Sequence, residues 1–207
     1  MSETNDPTID ELPDRVREIV ASRLEGQQAG HGMDHVIRVY RTACQIQSET
    51  GGERLVVQLA ALLHDVGDAK FNDGQERSAE FSRQILSDLD VTTDLIDHVA
   101  EIVDNISFRK GVDPATLSLE GKIVQDADRI DALGAIGIVR TIEYGAVKGQ
   151  PFYLPDTTTS QPTGIGHFYK KLFKLHNLLN TDAAKRIAGE REQFMRDFVD
   201  QYLSEIG

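Results

Sequence analysis

The stretch ERLVVQLAALLHD, residues 53–65, is apolar almost all round and then ends in a histidine and an aspartate. A helix without a polar face must be covered on every side, and at this length it is a core helix and not a membrane span. Other amphipathic helices are therefore needed to surround it. Val16, Ile19, Val20 and Leu24 recur at helical spacing between Pro13, which suits a first helical turn, and Gly26. A second stripe from about Asp34 carries Val36, Val39, Tyr40, Ala43 and Ile46 and stops at Gly51 and Gly52.

Half-buried helices are expected through Phe81, Ile85 and Leu89, and through Leu95, Val99, Ile102 and Ile106 behind a capping Thr-Thr pair. Ser118 can cap the next, in which Ile123, Ala127, Ile130 and Gly134 keep the period. The small residues of GAIGIV let a neighbour approach closely, so this segment is expected to cross the core. Residues 149–166 hold three of the six prolines and four Thr, and read as a long loop able to close over a site as a lid. Beyond it lie a stripe at Phe168, Leu172, Leu175 and Leu179, and a last one at Ile187, Phe194, Phe198 and Tyr202 after a Thr181 cap. No segment alternates with period two. The expected fold is all-α, one domain over residues 1–207 with about eight helices, and residues 1–10 are expected to be a flexible acidic leader.

Charge and cysteine usage narrow the function classes. With 22 basic and 34 acidic residues the net charge is -12, a field that repels duplex DNA. No apolar run reaches a membrane span and the N-terminus has no signal-peptide block, so a cytoplasmic protein without a membrane partner is expected. Cys44 is the single cysteine, so neither an intramolecular disulfide nor a thiolate zinc site can form. It is expected at a buried helix position. Any metal must then be held by imidazole and carboxylate.

Placing His64 and Asp65 at the end of the most apolar helix costs several kcal/mol of desolvation unless a partner or cation compensates them. His35 opens the second helix and Asp128 is expected mid-helix in VQDADRIDAL, so both also project polar groups from core-forming segments. Two imidazoles and two carboxylates suit Mn²⁺, Fe²⁺, Co²⁺, Ni²⁺ or Zn²⁺ better than Ca²⁺. Four protein ligands leave positions for water and for a substrate phosphoryl oxygen, the layout of a metal-dependent hydrolase. Taken singly, each histidine equally suits a hydrogen-bonded core or surface role, and spacing alone does not join three distant segments.

The order His35, then His64-Asp65, then Asp128 resembles the H...HD...D signature of the HD-domain phosphohydrolase superfamily. The motifs HGMDHVIRV, HDVGDAKFNDG, ISFRKG and KIVQDADRIDALGAIGIVRT resemble its branch similar to the bacterial YpgQ and YedJ proteins, from about residue 25 to the last helix. Gly32 stands where that pattern carries an Asp. The resemblance implies an all-helical fold with the metal where core helices meet, held by His35, His64, Asp65 and Asp128. It implies one divalent transition ion, Mn²⁺ foremost, with Fe²⁺, Co²⁺, Ni²⁺, Zn²⁺ or Mg²⁺ as alternatives. The implied substrate is a small phosphorylated molecule, a nucleotide, cut as a nucleoside triphosphate to monophosphate and pyrophosphate or as a nucleotidase substrate.

If the third helix persists, Asp68 shares the face of His64 and Asp65 and serves proton transfer. Asp131 can orient a ligand or water, or be solvated at the surface. Lys70, and after it Arg109 and Lys110, can balance phosphate charge. Arg129 is expected to pair with carboxylates, and the basic stretch 166–191 to form a solvated helix face. His98 stands alone where two extra histidines hold a second ion in some relatives, so one metal is favoured, and His167 and His176 look peripheral. A metal- and nucleotide-binding regulatory module, or a dinuclear or cyclic-nucleotide phosphodiesterase, are the rival functions. Homo-oligomerisation is left open.

Overall fold

The computed structural model describes residues 11–26, 32–69, 72–106, 112–155 and 161–207. Among these residues nine α-helices and two 3-10 turns carry the chain, there is no strand, and no helix is long and apolar enough to cross a membrane. The chain divides into two compact units, Met1–Val124 and Gln125–Gly207.

The first unit holds α1 (Leu12–Arg23), α2 (Met33–Thr50), α3 (Arg54–Leu63), α4 (Ser78–Asp88) and α5 (Thr93–Asn105). Its axis is the apolar helix: α3 packs against α1, α2 and α5, and its Val57, Leu59, Ala60, Ala61 and Leu63 are fully buried. Ten residues make a helix that is marginal in isolation. Burial of each Val or Leu contributes about 1.5–3 kcal/mol, which holds it here. Pro13 sits in the first turn of α1 and Gly51 ends α2 at φ +89°, both as expected. Thr92 occupies the position before α5, yet its side chain makes no capping bond. Cys44 is half-buried on α2, and burial pushes its thiol up.

The N-terminus of α3 is closed by a carboxylate from the first turn of α6 (Leu119–Ile130): Glu120 Oε1 accepts the Glu53 N–H at 2.9 Å. Ser118 caps α6, accepting from the Gly121 N–H at 3.0 Å. Burial acts to raise the Glu120 carboxyl. The Glu53 and Glu120 backbone N–H groups, His98 and the Ser118 hydroxyl outweigh it and leave the group below its ordinary value. A lowered folded-state pKa contributes stability above the unfolded value and loses it as pH falls through the folded one. Glu120→Gln should therefore cost about 1 kcal/mol at pH 7, and the gap to wild type should narrow as pH falls below about 4. Urea unfolding at pH 7 and pH 3.5 measures it; a gap undiminished at the lower pH contradicts the assignment.

The second unit contains the end of α6, α7 (Gly134–Lys148), α8 (Gly164–Lys170), a 3-10 turn at Leu172–Leu178 and α9 (Asp182–Ile206). Helical period continues from Ile123 to Gly134 in the sequence, but the backbone does not. The N–H groups of Ala132 and Leu133 reach back only three residues, Leu133 is extended, and Gly134 takes φ +75°. A side chain at Gly137 would meet the Ala132 carbonyl at 2.1 Å, so GAIGIV makes room for its own preceding turn. The α6 half of the segment is core as expected, with Ile123, Ala127, Ile130 and Leu133 fully buried, whereas α7 is half at the surface: Val139 and Val147 are 50% and 75% exposed, and Ile136 and Ile142 are exposed as well.

Phe168, Leu172, Leu175 and Leu179 are buried as expected, although α8 breaks into the 3-10 turn midway. Thr181 caps α9, accepting from Ala184 N–H at 3.3 Å. The buried face of α9 is Ala183, Ala184, Ala188, Met195 and Val199; Phe194 of the expected stripe is exposed. The ends of the 149–166 loop are tied together, because Pro151 and Phe152 carbonyls accept the Gly164 and Ile165 N–H groups at 3.1 and 2.9 Å. Phe152 meets Phe168, Phe198 and Tyr202 edge-on. Of the loop expected to act as a lid, residues 156–160 lie outside the described residues.

Candidate metal centre

His35 lies in the first turn of α2, behind an extended Gly32, and its side chain is driven inward by the same face that buries Val36 and Val39. Only 2% of it is exposed. His64 follows the last residue of α3. Its Nδ1 lies 2.8 Å from the Ala61 carbonyl, which can only accept, so that nitrogen carries a proton, and in the neutral ring Nε2 presents the lone pair. The lone pair is directed at the other ring: His35 Nε2 and His64 Nε2 are 3.2 Å apart. Asp65 Oδ2 stands 3.5 Å from the first and 3.7 Å from the second.

These distances test whether a metal fits. A point equidistant from the three atoms lies about 2.0 Å from each, which is the bond length of a first-row divalent ion to imidazole nitrogen or carboxylate oxygen. A backbone carbonyl fixing the remote imidazole nitrogen is the arrangement that orients histidine ligands. The carbonyl end of α3 adds partial negative charge that favours a cation. Both imidazoles are buried while the Asp65 side chain is 19% exposed, so the cluster is open on the carboxylate side. The three residues form a cluster that could hold a divalent metal ion.

The helix that carries the pair does not persist. α3 ends at Leu63, and residues 64–67 turn, with the Asp68 N–H returning to the Asp65 carbonyl at 3.2 Å. Asp68 is buried, but its placement comes from the turn and not from a shared helical face. Asn72 Nδ2 donates to the Asp68 carbonyl at 2.9 Å. The turn is held from the start of α4, where Ser78 Oγ accepts from the Gly67 N–H at 3.1 Å and Arg77 N–H donates to the Gly67 carbonyl at 2.9 Å. Neither Gly67 nor the fully buried Ser78 is singled out by sequence chemistry; the signal available was a pair of serines, Ser78 and Ser82, on an otherwise half-apolar stripe.

His98 stands apart from the cluster, half-exposed, with Nε2 3.8 Å from Glu120 Oε2. Lys70, Arg109, Lys110 and His31 lie outside the described residues.

In the second unit, Asp128 is half-buried in the last turn of α6, nearer its end than the sequence suggests. Asp131 is no solvated surface group: it is 3% exposed and pairs with Arg140 at 2.5 Å. Arg129 donates to the Leu178 carbonyl, so its main polar contact is a backbone oxygen and not a carboxylate. Burial lowers its pKa, opposed by the nearby Asp126 and Asp128 charges. Asp126, which sequence reasoning missed, is wholly buried. It accepts from Asn180 N–H and Nδ2 at 2.8 and 2.9 Å and from Thr181 N–H and Oγ1, both at 2.8 Å. Lys170, Lys171, Lys174 and Arg186 are exposed as a solvated face would be. His176 sits 3.7 Å from Glu192, and burial holds His167 below its ordinary value.

Comparison with known proteins identifies the family. Residues 32–133, from the start of α2 to the end of the α6–α7 turn, match the HD domain family. The chain is 36% identical over 195 residues to the Bacillus subtilis protein YpgQ, covering 93% of both chains. Its fold superposes on the crystal structure of an HD-superfamily hydrolase from Bacillus thuringiensis with a TM-score of 0.81 at 39% identity, over 96% of this chain and 98% of that one. It superposes equally, TM-score 0.81 at 32% identity over 96% and 97% of the two chains, on Bacillus subtilis YpgQ in complex with ADP. Two buried imidazoles and a carboxylate spaced for one divalent ion, inside a matched HD domain, place this chain in the HD-domain superfamily of metal-dependent phosphohydrolases.

Proposed function

We propose that this phosphohydrolase acts on a nucleotide, as a nucleoside triphosphate pyrophosphohydrolase or a nucleotidase. The observation that carries the proposal is the His35–His64–Asp65 triangle, sized for one ion and open on its carboxylate side. The ADP complex of YpgQ, a relative over nearly the whole chain, supports the nucleotide half. Asp128 is proposed as the fourth donor from the order of the motifs. An ion held by these donors supplies Lewis acidity toward a phosphoryl oxygen and acidifies water.

The protein's own groups do the rest. Neutral His35 and His64 hold position without adding charge, and Asp65 offsets that of the cation. Asp68, buried three residues on, accepts a proton from the attacking water at a carboxylate oxygen. Lys70, Arg109 and Lys110 are proposed to balance phosphate charge as it shifts toward the leaving group. A single ion is favoured because His98 is paired with Glu120 rather than joined to the cluster.

Metal-stripped protein, assayed for phosphate and pyrophosphate release across nucleoside mono-, di- and triphosphates and cyclic nucleotides, should be inactive. Mn²⁺ should restore release, and Co²⁺, Ni²⁺, Zn²⁺ and Mg²⁺ serve as comparison ions. Release of pyrophosphate alone from triphosphates identifies the pyrophosphohydrolase. No release with any ion, alongside retained nucleotide binding, makes the chain a regulatory module instead.

A further inference from the structure

We propose that the outward face of α7 is the interface of a two-fold dimer, in which the α7 helices of two copies of this chain lie antiparallel. The buried positions of α7 are Gly134, Gly137, Ile138 and Gly145, and the helix packs against α8 and α9. At about 100° per residue, Ala135, Ile136, Val139, Ile142, Ala146 and Val147 fall within an arc of about 140° on the other side, and every one of them is exposed. A surface helix ordinarily turns a polar face to water. This one presents an apolar strip with a single charge, Glu143, inside it. Phe194 of α9, 52% exposed, extends the strip, because it lines a shallow open depression of about 260 Å³ together with Gly134, Ala135, Glu190 and Arg191.

Area and charge together select the occupant. Ile136, Val139, Ile142, Val147 and Phe194 expose about 500 Å² of side-chain surface, in the upper range of the roughly 300–600 Å² of the largest patch on a typical monomer. With the small residues and backbone between them, the strip approaches the roughly 800 Å² per partner of a stable interface. In a parallel pair Glu143 would face its own copy, and like charges repel. An antiparallel pair centred between Thr141 and Ile142 sets Ile136 against the partner's Val147, Val139 beside the partner's Ala146, and Glu143 beside the partner's Arg140. Arg140 keeps 26% of its side chain exposed while it pairs with Asp131, and a guanidinium has donors for more than one carboxylate. The protruding Val147 then comes over the end of the partner's strip where the depression lies. Each contact is made twice, as a self-complementary two-fold interface requires. A lipid surface fits less well, since Glu143 sits inside the strip and a net charge of -12 opposes anionic headgroups.

Sedimentation equilibrium of the full-length protein should show twice the 23.0 kDa chain mass. For an interface of this area the dissociation constant should be about 1 µM or tighter, so protein at about 100 µM is almost wholly dimeric. Val139→Glu buries an unpaired anion beside Glu143 and should weaken association at least about 100-fold. Glu143→Arg faces the partner's Arg140 and should weaken it about tenfold. Ile206→Glu, which adds the same charge at an exposed apolar residue at the end of α9, should associate as wild type does. Circular dichroism checks folding; if Val139→Glu fails it, Val147→Glu, at the most exposed position of the strip, carries the test with the same expectation. Orientation has its own readout. In a Cys44→Ser background, Ile136→Cys and Val147→Cys lie about 16 Å apart along one helix, too far for a disulfide within the chain, so oxidation should give a covalent dimer on a non-reducing gel. A monomer at about 100 µM, or a dimer that persists in Val139→Glu and Val147→Glu, overturns the proposal, the latter by moving the contact elsewhere. A monomer that sediments with vesicles of phosphatidylcholine and phosphatidylglycerol gives the face to lipid and overturns it too. A dimer that Val139→Glu dissolves but the cysteine pair does not link overturns the antiparallel arrangement.

Discussion

Asp65→Ala protein, stripped and reloaded with Mn²⁺, should hydrolyse its phosphorylated substrate at least about 10³-fold more slowly than wild type, the rate equivalent of the several kcal/mol that a bound cation contributes to phosphoryl chemistry. Asp65 is the one anion of the triangle, and its Oδ2 stands within 3.7 Å of both imidazole nitrogens. Without it, two neutral rings face a dication alone. Stability offers a second readout that does not depend on substrate. An ion present at 100 times its dissociation constant stabilises the folded protein by about 2.7 kcal/mol, so wild type should melt several degrees higher with Mn²⁺ than without. Asp65→Ala should lose most of that increment. Asp65→Asn separates charge from shape and should behave like alanine in the metal titration. A metal-dependent melting shift that survives in both variants contradicts the assignment of the centre.

The clustering of His35, His64 and Asp65 was legible because its cost was legible. A histidine and an aspartate at the end of an apolar helix, and a histidine on the buried stripe of α2, violate the local pattern, and such violations mark function. The helices α1 and α2 were equally plain, since their spacing and their Pro and Gly boundaries agree. What failed were places where the period of the side chains outlasts the helical backbone. Residues 123–134 keep a helical period through a turn that Gly134 closes at positive φ, and Phe168–Leu179 keep it through a change from α to 3-10. Asp68 was placed on a helical extension that ends at Leu63. In QDADRID three acids read alike, yet one is clamped by α9, one is paired with Arg140, and Asp128 alone is only half-buried. The partners that separate them lie 9 to 55 residues away, where no local pattern reaches.

Gly67→Ala should show how tightly the turn after the HD pair is built. A Cβ at this position would lie 2.6 Å from Arg77 C, 2.7 Å from Ser78 N and 2.9 Å from Arg77 O, all backbone atoms at the head of α4. No rotamer relieves that contact. The segments must separate by about 1 Å to reach ordinary van der Waals distance, and the two hydrogen bonds that join Gly67 to Arg77 and Ser78 run across the same gap. Overpacking and two lost hydrogen bonds together should cost about 2–4 kcal/mol, a melting temperature lower by roughly 4–16 °C for a chain of this size. The displaced turn is the one that carries His64 and Asp65, so Mn²⁺ affinity should fall as well. Gly121→Ala is the control. Its Cβ would meet neighbours only at 3.4 Å and beyond, inside α6, where alanine is the better helix former. That variant should be as stable as wild type or more so, with unchanged metal affinity. If Gly67→Ala melts and binds Mn²⁺ as Gly121→Ala does, the turn is free to relax and the support of the metal centre from α4 is disproved.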